Sequence, residues 1–569
     1  MNRQDKLSLW QERLRQAQAA AADERARYEE REALYTGTRQ IDGALSPVYP
    51  KKQAAVVRNI VAEIIEAQID ANLPLPKVTA RHKQHEHLAV LIEDYLRGEM
   101  TRLPMAEFND MDERTTYIQG GDFALVEWDE GGGAHGESGE VALRLLHPGQ
   151  VIPQPGVCAL EEMDYVFIQV AYTKEGVRRA FGVDVSDEEG EGAALPHLVT
   201  LTRVYYRGEG GKIGLFSFVG DTVVEDLEDY QCRRERVCAV CGQPAGAGGC
   251  PVCGSGRTRL APAAGQLLRR DVRRADGVVI PAGTRLPYYR PGAFPLVLRK
   301  NVSLYGKLLG DSDVDKIRDS QDAIKKTATK VQEKLLKGGS YVTLPAGKTV
   351  RRTDEELKVI EVDSPAEIAM ISVINLQPDV SRDMAYLEYH YQAARDVIGI
   401  TDSFQGRRDE TAVSGKAKEI AAAQSAGRLE SKRVMKDAFY AKLFETMFRF
   451  ALAYADEPRP VRRQQADGTS AYGDFNRYDF LEQGEDGAWY YVDDFLFSVD
   501  AASSPVSSRQ AMWEETLTAL QSGAFGPIGE METLIAYWSR MAELHYPGAK
   551  ETRQLLQQRQ RDGGEGVAL

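Results

Sequence analysis

No stretch of the 569 residues approaches the roughly 20 consecutive apolar residues that a membrane-spanning helix needs. The segment Met1 to Glu30 is helical in pattern and densely charged, without the apolar core of a secretory signal. The protein is therefore expected to be made and kept in a cytosol, with no membrane partner. Histidine is scarce, at eight residues, and no Ser-His-Asp or Cys-His arrangement can be assembled from the chain. Gly347-Lys348-Thr349 resembles the end of a phosphate loop, but the pattern needs glycine where Val342 stands, and no clear apolar helix follows. Asp493-Asp494 sit among alternating aromatics with no nearby histidine or lysine to complete a mechanism. His82, His85 and His87 lie in a polar segment and read as exposed. No internal repeat is visible. These absences point away from an enzyme and from a self-powered motor.

A chain of this length buries a large core and folds as more than one domain. Its net charge of −14 argues against a protein that wraps nucleic acid through phosphate contacts. The same charge suits a conduit whose wall should not grip a polyanion, and equally suits plain solubility.

Periodicity divides the chain into an α+β order. Residues 5–35 read as one solvated amphipathic helix. Val56, Val57, Ile60, Val61, Ile64, Ile65 and Ile69 then recur at helical spacing until Pro74 and Pro76. Residues 86–118 read as a further helix. Gly120-Gly121 break it and lead into the strand run Phe123 to Trp128, followed by strands over 141–146, 163–172 and 199–206. A second β piece runs from Trp489 to Asp500, and 508–560 read as a helical tail.

Between Asp311 and Pro460 the order changes. Ser312 is an N-cap with Asp315 three residues on. A helix over 312–337 places Val314, Ile317, Ile324, Ala328, Val331 and Leu335 on one side. Opposite them fall Asp315, Asp319, Asp322, Lys326, Lys330, Glu333 and Lys337, acids early and lysines late, as the helix dipole favours. Gly338-Gly339 stop it, and β-like runs at Tyr341–Leu344 and Lys358–Val362 follow. Val380 to Val397 is helical again, so the chain goes out and comes back. A polar loop holds Arg407, Arg408, Asp409 and Glu410 before a helix of about forty residues, roughly 60 Å long, which Pro458 ends.

Six cysteines are present, four of them as Cys238-x2-Cys241 and Cys250-x2-Cys253, each pair followed by glycine. Two such knuckles supply four sulfurs, the closed tetrahedral set of a structural zinc with no open position for catalysis. Disulfides are disfavoured in a reducing cytosol. Cys158 and Cys232 read as small buried or semi-buried residues. Around the knuckles, 231–275 carry nine arginines against Glu235 and Asp271, a basic insert that can touch DNA or an acidic neighbour, or simply be a loop stapled by metal.

The collinear order of several short motifs is similar to that of tailed-bacteriophage portal proteins, the head-to-tail connector family. They are Asn59-Ile60 ahead of Leu73-Pro74, Gly121-Asp122-Phe123 leading to Glu127-Trp128-Asp129, and His147-Pro148-Gly149-Gln150-Val151 with Pro155. Gly310-Asp311-Ser312 with Gln321-Asp322-Ala323, and Val413-Ser414-Gly415-Lys416-Ala417, complete the series. The resemblance covers about residues 30–510. It implies a wing over 1–311 holding the 231–275 insert, stem helices over 312–337 and 380–398, and a clip over 338–379. A tunnel loop over 399–415, a long helix over 416–457, a wing β segment over 458–504 and a crown and tail over 505–569 follow.

Function implied by the resemblance is a ring, of twelve copies in that family, at the portal vertex of a phage or prophage capsid, made in a bacterial cytoplasm. Double-stranded DNA would pass through it during packaging and ejection. Its partners would be the terminase large subunit, the major capsid and scaffolding proteins and a head-tail adaptor. Lys326, Lys330 and Lys337 would touch phosphates, and Arg407, Arg408, Asp409 and Glu410 would guide the duplex. The family does not generally carry a ribbon such as 231–275, which leaves a second expectation: a zinc-ribbon nucleic-acid-binding or processing protein acting through that insert.

Overall fold

Apolar periodicity and its interruptions set the element boundaries in the computed structural model of the chain. It describes residues 2–39, 58–133, 139–185, 198–232, 234–241, 243, 249–262, 265–268, 271–337, 339–343, 366, 372–376, 378–400, 415–464, 470–485, 487–500, 506–527, 530–544 and 546–564. Helices and strands together make an α+β architecture. It separates into two compact units, Met1–Ala26 with Ile69–Asp311 and Ser431–Leu569, and Arg27–Gln68 with Ser312–Glu430.

The first unit is built on two antiparallel sheets. The larger orders the strands Val151–Pro153, Tyr165–Thr173, Leu198–Arg207, Ile213–Val219 and Thr222–Leu227 as a meander. Of these, the sequence reading gives Tyr165–Thr173 and Leu198–Arg207 alone; Ile213–Val219 is buried at every position and so lacks alternation. The helical run read over 5–35 is two helices, Arg3–Ala20 and Ala22–Tyr35, and the first is not solvated. Leu7, Trp10, Leu14 and Ala17 form a narrow stripe that packs on Ile152, Tyr165, Phe167, Val204 and Phe216. Trp10 meets the rings of Tyr165 and Phe167 edge-on at 5.7 and 6.1 Å.

The smaller sheet orders Leu296–Lys300, Gly121–Asp129 and Glu140–Leu146. The helix expected over 86–118 is broken at Leu103-Pro104 into Glu86–Arg102 and Met105–Gln119. Proline has no N–H to continue the ladder and pushes the residue before it out of the helical region; Leu103 accordingly has ψ 149°. The apolar half of the long helix Gly415–Tyr454 supplies the centre of this unit's main core, where Phe439, Tyr440, Leu443, Phe444, Met447 and Phe448 are essentially inaccessible. A helical bundle of Val506–Gln521, Met531–Glu543 and Ala549–Gly564 closes the chain around Leu520, Tyr537 and Met541.

Gly120 marks a tight crossing of this unit. It ends the Met105–Gln119 helix with φ +88°, and its carbonyl accepts from the amides of Asn301 and Gly310 at 3.0 and 2.9 Å. A Cβ there would lie 2.4 Å from the carbonyl oxygen of Gly310. Gly120→Ala should therefore lower the unfolding free energy by about 3 kcal/mol or more, combining a left-handed backbone with a backbone clash. An unchanged urea midpoint would contradict this close approach.

The second unit contains the out-and-back excursion. Helix Asp313–Lys337 leads into strand Gly339–Thr343, which pairs antiparallel with Ser372–Leu376. Helix Ser381–Ile398 then packs back along the first helix, and a Lys334–Asp383 ion pair joins them near the hairpin. Ser312 accepts from the amide of Asp315 at 3.4 Å, as a cap should. Helix Ile60–Glu66 packs on Asp313–Lys337. Most of 344–371, including Gly347-Lys348-Thr349 and the run at Lys358–Val362, lies outside the described residues, as do 401–414.

Candidate functional site

Strand Arg234–Cys238 pairs antiparallel with Thr258–Pro262, and the two Cys-x2-Cys turns stand at the loop end of this ribbon. The Cys238 amide donates to the Gln243 carbonyl at 2.8 Å, and the Cys250 amide donates to the Ser255 carbonyl at 2.9 Å, folding both knuckles back. Gly254, with φ +69°, makes the second turn possible, and the Gly254 amide donates to the Cys250 carbonyl at 3.0 Å.

This geometry brings the four sulfurs of Cys238, Cys241, Cys250 and Cys253 within 4.8 Å of one another. The closest pairs, Cys238–Cys253 and Cys241–Cys250, are 3.4 Å apart, far beyond the roughly 2 Å of a disulfide bond. A metal–sulfur distance of about 2.3 Å places tetrahedral sulfurs about 3.8 Å apart, so the group has the dimensions of a four-thiolate metal site. Cys238 is held down to about 6 by the amides of Cys241 and Val240, the latter 3.3 Å from Sγ. Cys250 is lowered by the amide of Cys253. Cys241 and Cys253 are raised, the latter to about 12: the amides of Gln243 and Ser255 favour their thiolates but are outweighed by protons shared with the neighbouring thiols. Full ionisation of the set thus calls for a cation at its centre, which is what a metal supplies.

Cys158 is exposed, contrary to the expectation of a buried or semi-buried thiol, with Sγ 3.1 Å from the Gly306 carbonyl. Cys232 is buried as expected. His85 also departs from the sequence reading. It is buried, and its Nε2 lies 2.8 Å from Glu482, whereas His82 is exposed. Asp493 accepts from the Tyr289 hydroxyl at 2.8 Å and Asp494 pairs with Arg81 at 3.0 Å, both structural contacts.

On helix Asp313–Lys337 the apolar face is inside, with Val314, Ile317, Ile324 and Val331 buried, although Leu335 is exposed. The charged face is less uniform than the helical wheel implies. Asp315 binds Arg31 at 2.6 Å and Asp322 lies 3.4 Å from Arg39, so these two acids are used within the unit. Asp319, Lys326 and Lys330 are exposed. Lys337 is the last residue of the helix. Arg407, Arg408, Asp409 and Glu410 lie outside the described residues.

The short motifs meet one another. Gln321 accepts from the amides of Ile60 and Val61 at 2.8 and 3.4 Å and donates to the Arg58 carbonyl at 3.2 Å, joining two motifs some 260 residues apart. Gly310 meets Gly120 beside Gly121, as described. Gln150 accepts from the His147 amide at 3.0 Å while His147 Nδ1 accepts from the Gly149 amide at 3.1 Å. Glu127 binds Arg203 at 2.6 Å.

Sequence reasoning missed a buried ionic group. Arg299 contacts Asp112 and Glu113, and all three are essentially inaccessible. Lys436 lies 3.3 Å from Glu113 and 3.4 Å from Asp70. Burial, and then the charge of Asp112, pushes Asp122 well above the carboxylate range, which favours its neutral, proton-donating form beside Asp112. The usable signal was a charged residue inside each of two apolar strands, Gly121–Asp129 and Leu296–Lys300. No family model matches the chain, and no curated protein does.

Proposed function

We propose that this chain is a portal-type ring subunit whose helix pair and hairpin form the stem and clip of a DNA channel. The supporting observation is the second unit: helix Asp313–Lys337, a two-stranded hairpin, and helix Ser381–Ile398 packed back along the first. Repeated around an axis, such a unit lines a bore, and exposed Lys326 and Lys330 supply transient phosphate contacts on an otherwise acidic chain. The loop bearing Arg407, Arg408, Asp409 and Glu410 would face the duplex, together with Lys337. Twelve copies would sit at a capsid vertex and meet a terminase motor, capsid and scaffolding proteins, and a head-tail adaptor. No covalent chemistry is required of it. The ribbon would hold zinc, chosen over other ions because four sulfurs and no open position suit it best.

A zinc-ribbon nucleic-acid reader is the second reading, and the nine arginines of the insert favour it. The double variant Cys238→Ser/Cys250→Ser separates the two. A portal-type subunit should lose its metal, from one ion per chain to none, and still assemble into rings. A monomer or dimer whose binding to duplex DNA falls more than tenfold in the variant would favour the reader.

A further inference from the structure

Charge is distributed very unevenly along this chain. Residues 231–275 carry nine arginines and two acids, +7, which leaves −21 for the rest of a protein whose total is −14. The ribbon at the centre of that insert is self-contained. Buried Cys238 and Cys250 form its own small core, and the hydrogen bonds of the described residues between 238 and 257 stay within it. The base of the insert is anchored instead. Leu268, Ile280 and Leu286 pack with Tyr478 and Leu481, and the Ala275 amide donates to Asp479 at 2.8 Å.

Each knuckle displays a valine in the same place. Val240 and Val252, the residues before the second cysteine of each pair, are 68% and 70% exposed. Exposed Arg257 follows the second knuckle. A surface meant for phosphates alone has no use for two apolar tips, whereas a protein contact combines an apolar centre with a charged rim. The charge imbalance points to the partner: the insert, formally +7 and about +5 once four thiolates hold a divalent ion, is complementary to the −21 remainder of the chain as another copy presents it.

We propose that the ribbon is a docking knob for a second copy of this protein, with Val240 and Val252 as its apolar centre and exposed Arg257 at its rim. The knob and the surface that receives it are different parts of the chain, so the contact is heterologous, the kind that closes into rings or runs on as filaments. The proposal rests on the ring reading for closure, but self-association alone carries it.

The test uses the full-length, zinc-loaded protein and follows its mass against protein concentration at 50 and 500 mM salt. Wild-type protein should self-associate, and high salt should weaken that association. Val240→Asp/Val252→Asp should weaken it at least tenfold with one metal per chain retained. If that double variant loses its metal, Arg257→Glu, which changes no ligand, reads the same contact and should also weaken it. Unchanged association of the variants would overturn the proposal while leaving rings, if seen, intact. Small oligomers or filaments abolished by the variants would keep the knob and overturn the ring. A wild type that stays monomeric at both salts, or one whose insert binds a duplex oligonucleotide in place of protein, would also overturn the knob.

Discussion

Replacing Arg299 by alanine should cost the first unit about 3–5 kcal/mol, the largest single-residue effect expected in the molecule. Its guanidinium reaches Asp112 with one terminal nitrogen and Glu113 with the other, and the two carboxylates have no exposure of their own. Removing it leaves two acids in a core that cannot solvate them, with Lys436 3.3 Å from Glu113 as the cation that remains beside that acid. Arg299→Lys should rescue little, because an ammonium is a single point and cannot span two carboxylates as a planar fork does. Urea unfolding at neutral pH measures the loss. A cost below about 1 kcal/mol, in the range of an exposed ion pair, would show that the group is solvated and the account of this core wrong.

Asp122→Asn should do the opposite, and only above mildly acidic pH. Asp122 is raised well above the usual range by burial and by Asp112, and Asp112 itself is pushed up to about 6, by burial against the pull of Arg299. A carboxyl whose folded pKa is raised contributes stability that is complete below its unfolded pKa, near 4, and is lost as pH rises through the folded value. Wild-type stability should thus fall on this account above pH 4, by at most about 1.4 kcal/mol per pH unit for each proton involved. Asparagine keeps a donor for Asp112 and carries no titratable proton. The variant should match wild type near pH 4 and exceed it at pH 8. Stability curves that run parallel across that range would contradict a neutral Asp122.

The elements most legible in the sequence were those whose pattern is local. The helices expected over 312–337 and 380–397 are present at Asp313–Lys337 and Ser381–Ile398, and the forty-residue helix is Gly415–Tyr454. Ser312, Gly399 and Pro458 punctuate them, and capping and helix breaking act within a few residues. The four cysteines were equally legible, because metal-knuckle spacing is a local constraint.

What escaped depends on partners far along the chain. Asp112 and Glu113 look like the solvated side of a helix until Arg299 arrives from a strand about 190 residues later. His85 looks exposed until Glu482 covers it. The stripe of Leu7, Trp10, Leu14 and Ala17 is too diluted by charge to declare itself, and only the sheet it packs on reveals it. On Asp313–Lys337, Arg31 and Arg39 claim two acids that the helical wheel assigns to an open face.

The central claim is that many copies of this chain close around a hole, and the mass of the native particle tests it most directly. Purified protein should give a single large species, near twelve chains of 63.1 kDa, and negative-stain images of the same sample should show rings with a central opening. A monomer or dimer that persists across protein concentration and salt would contradict the portal reading and put the ribbon reader in its place.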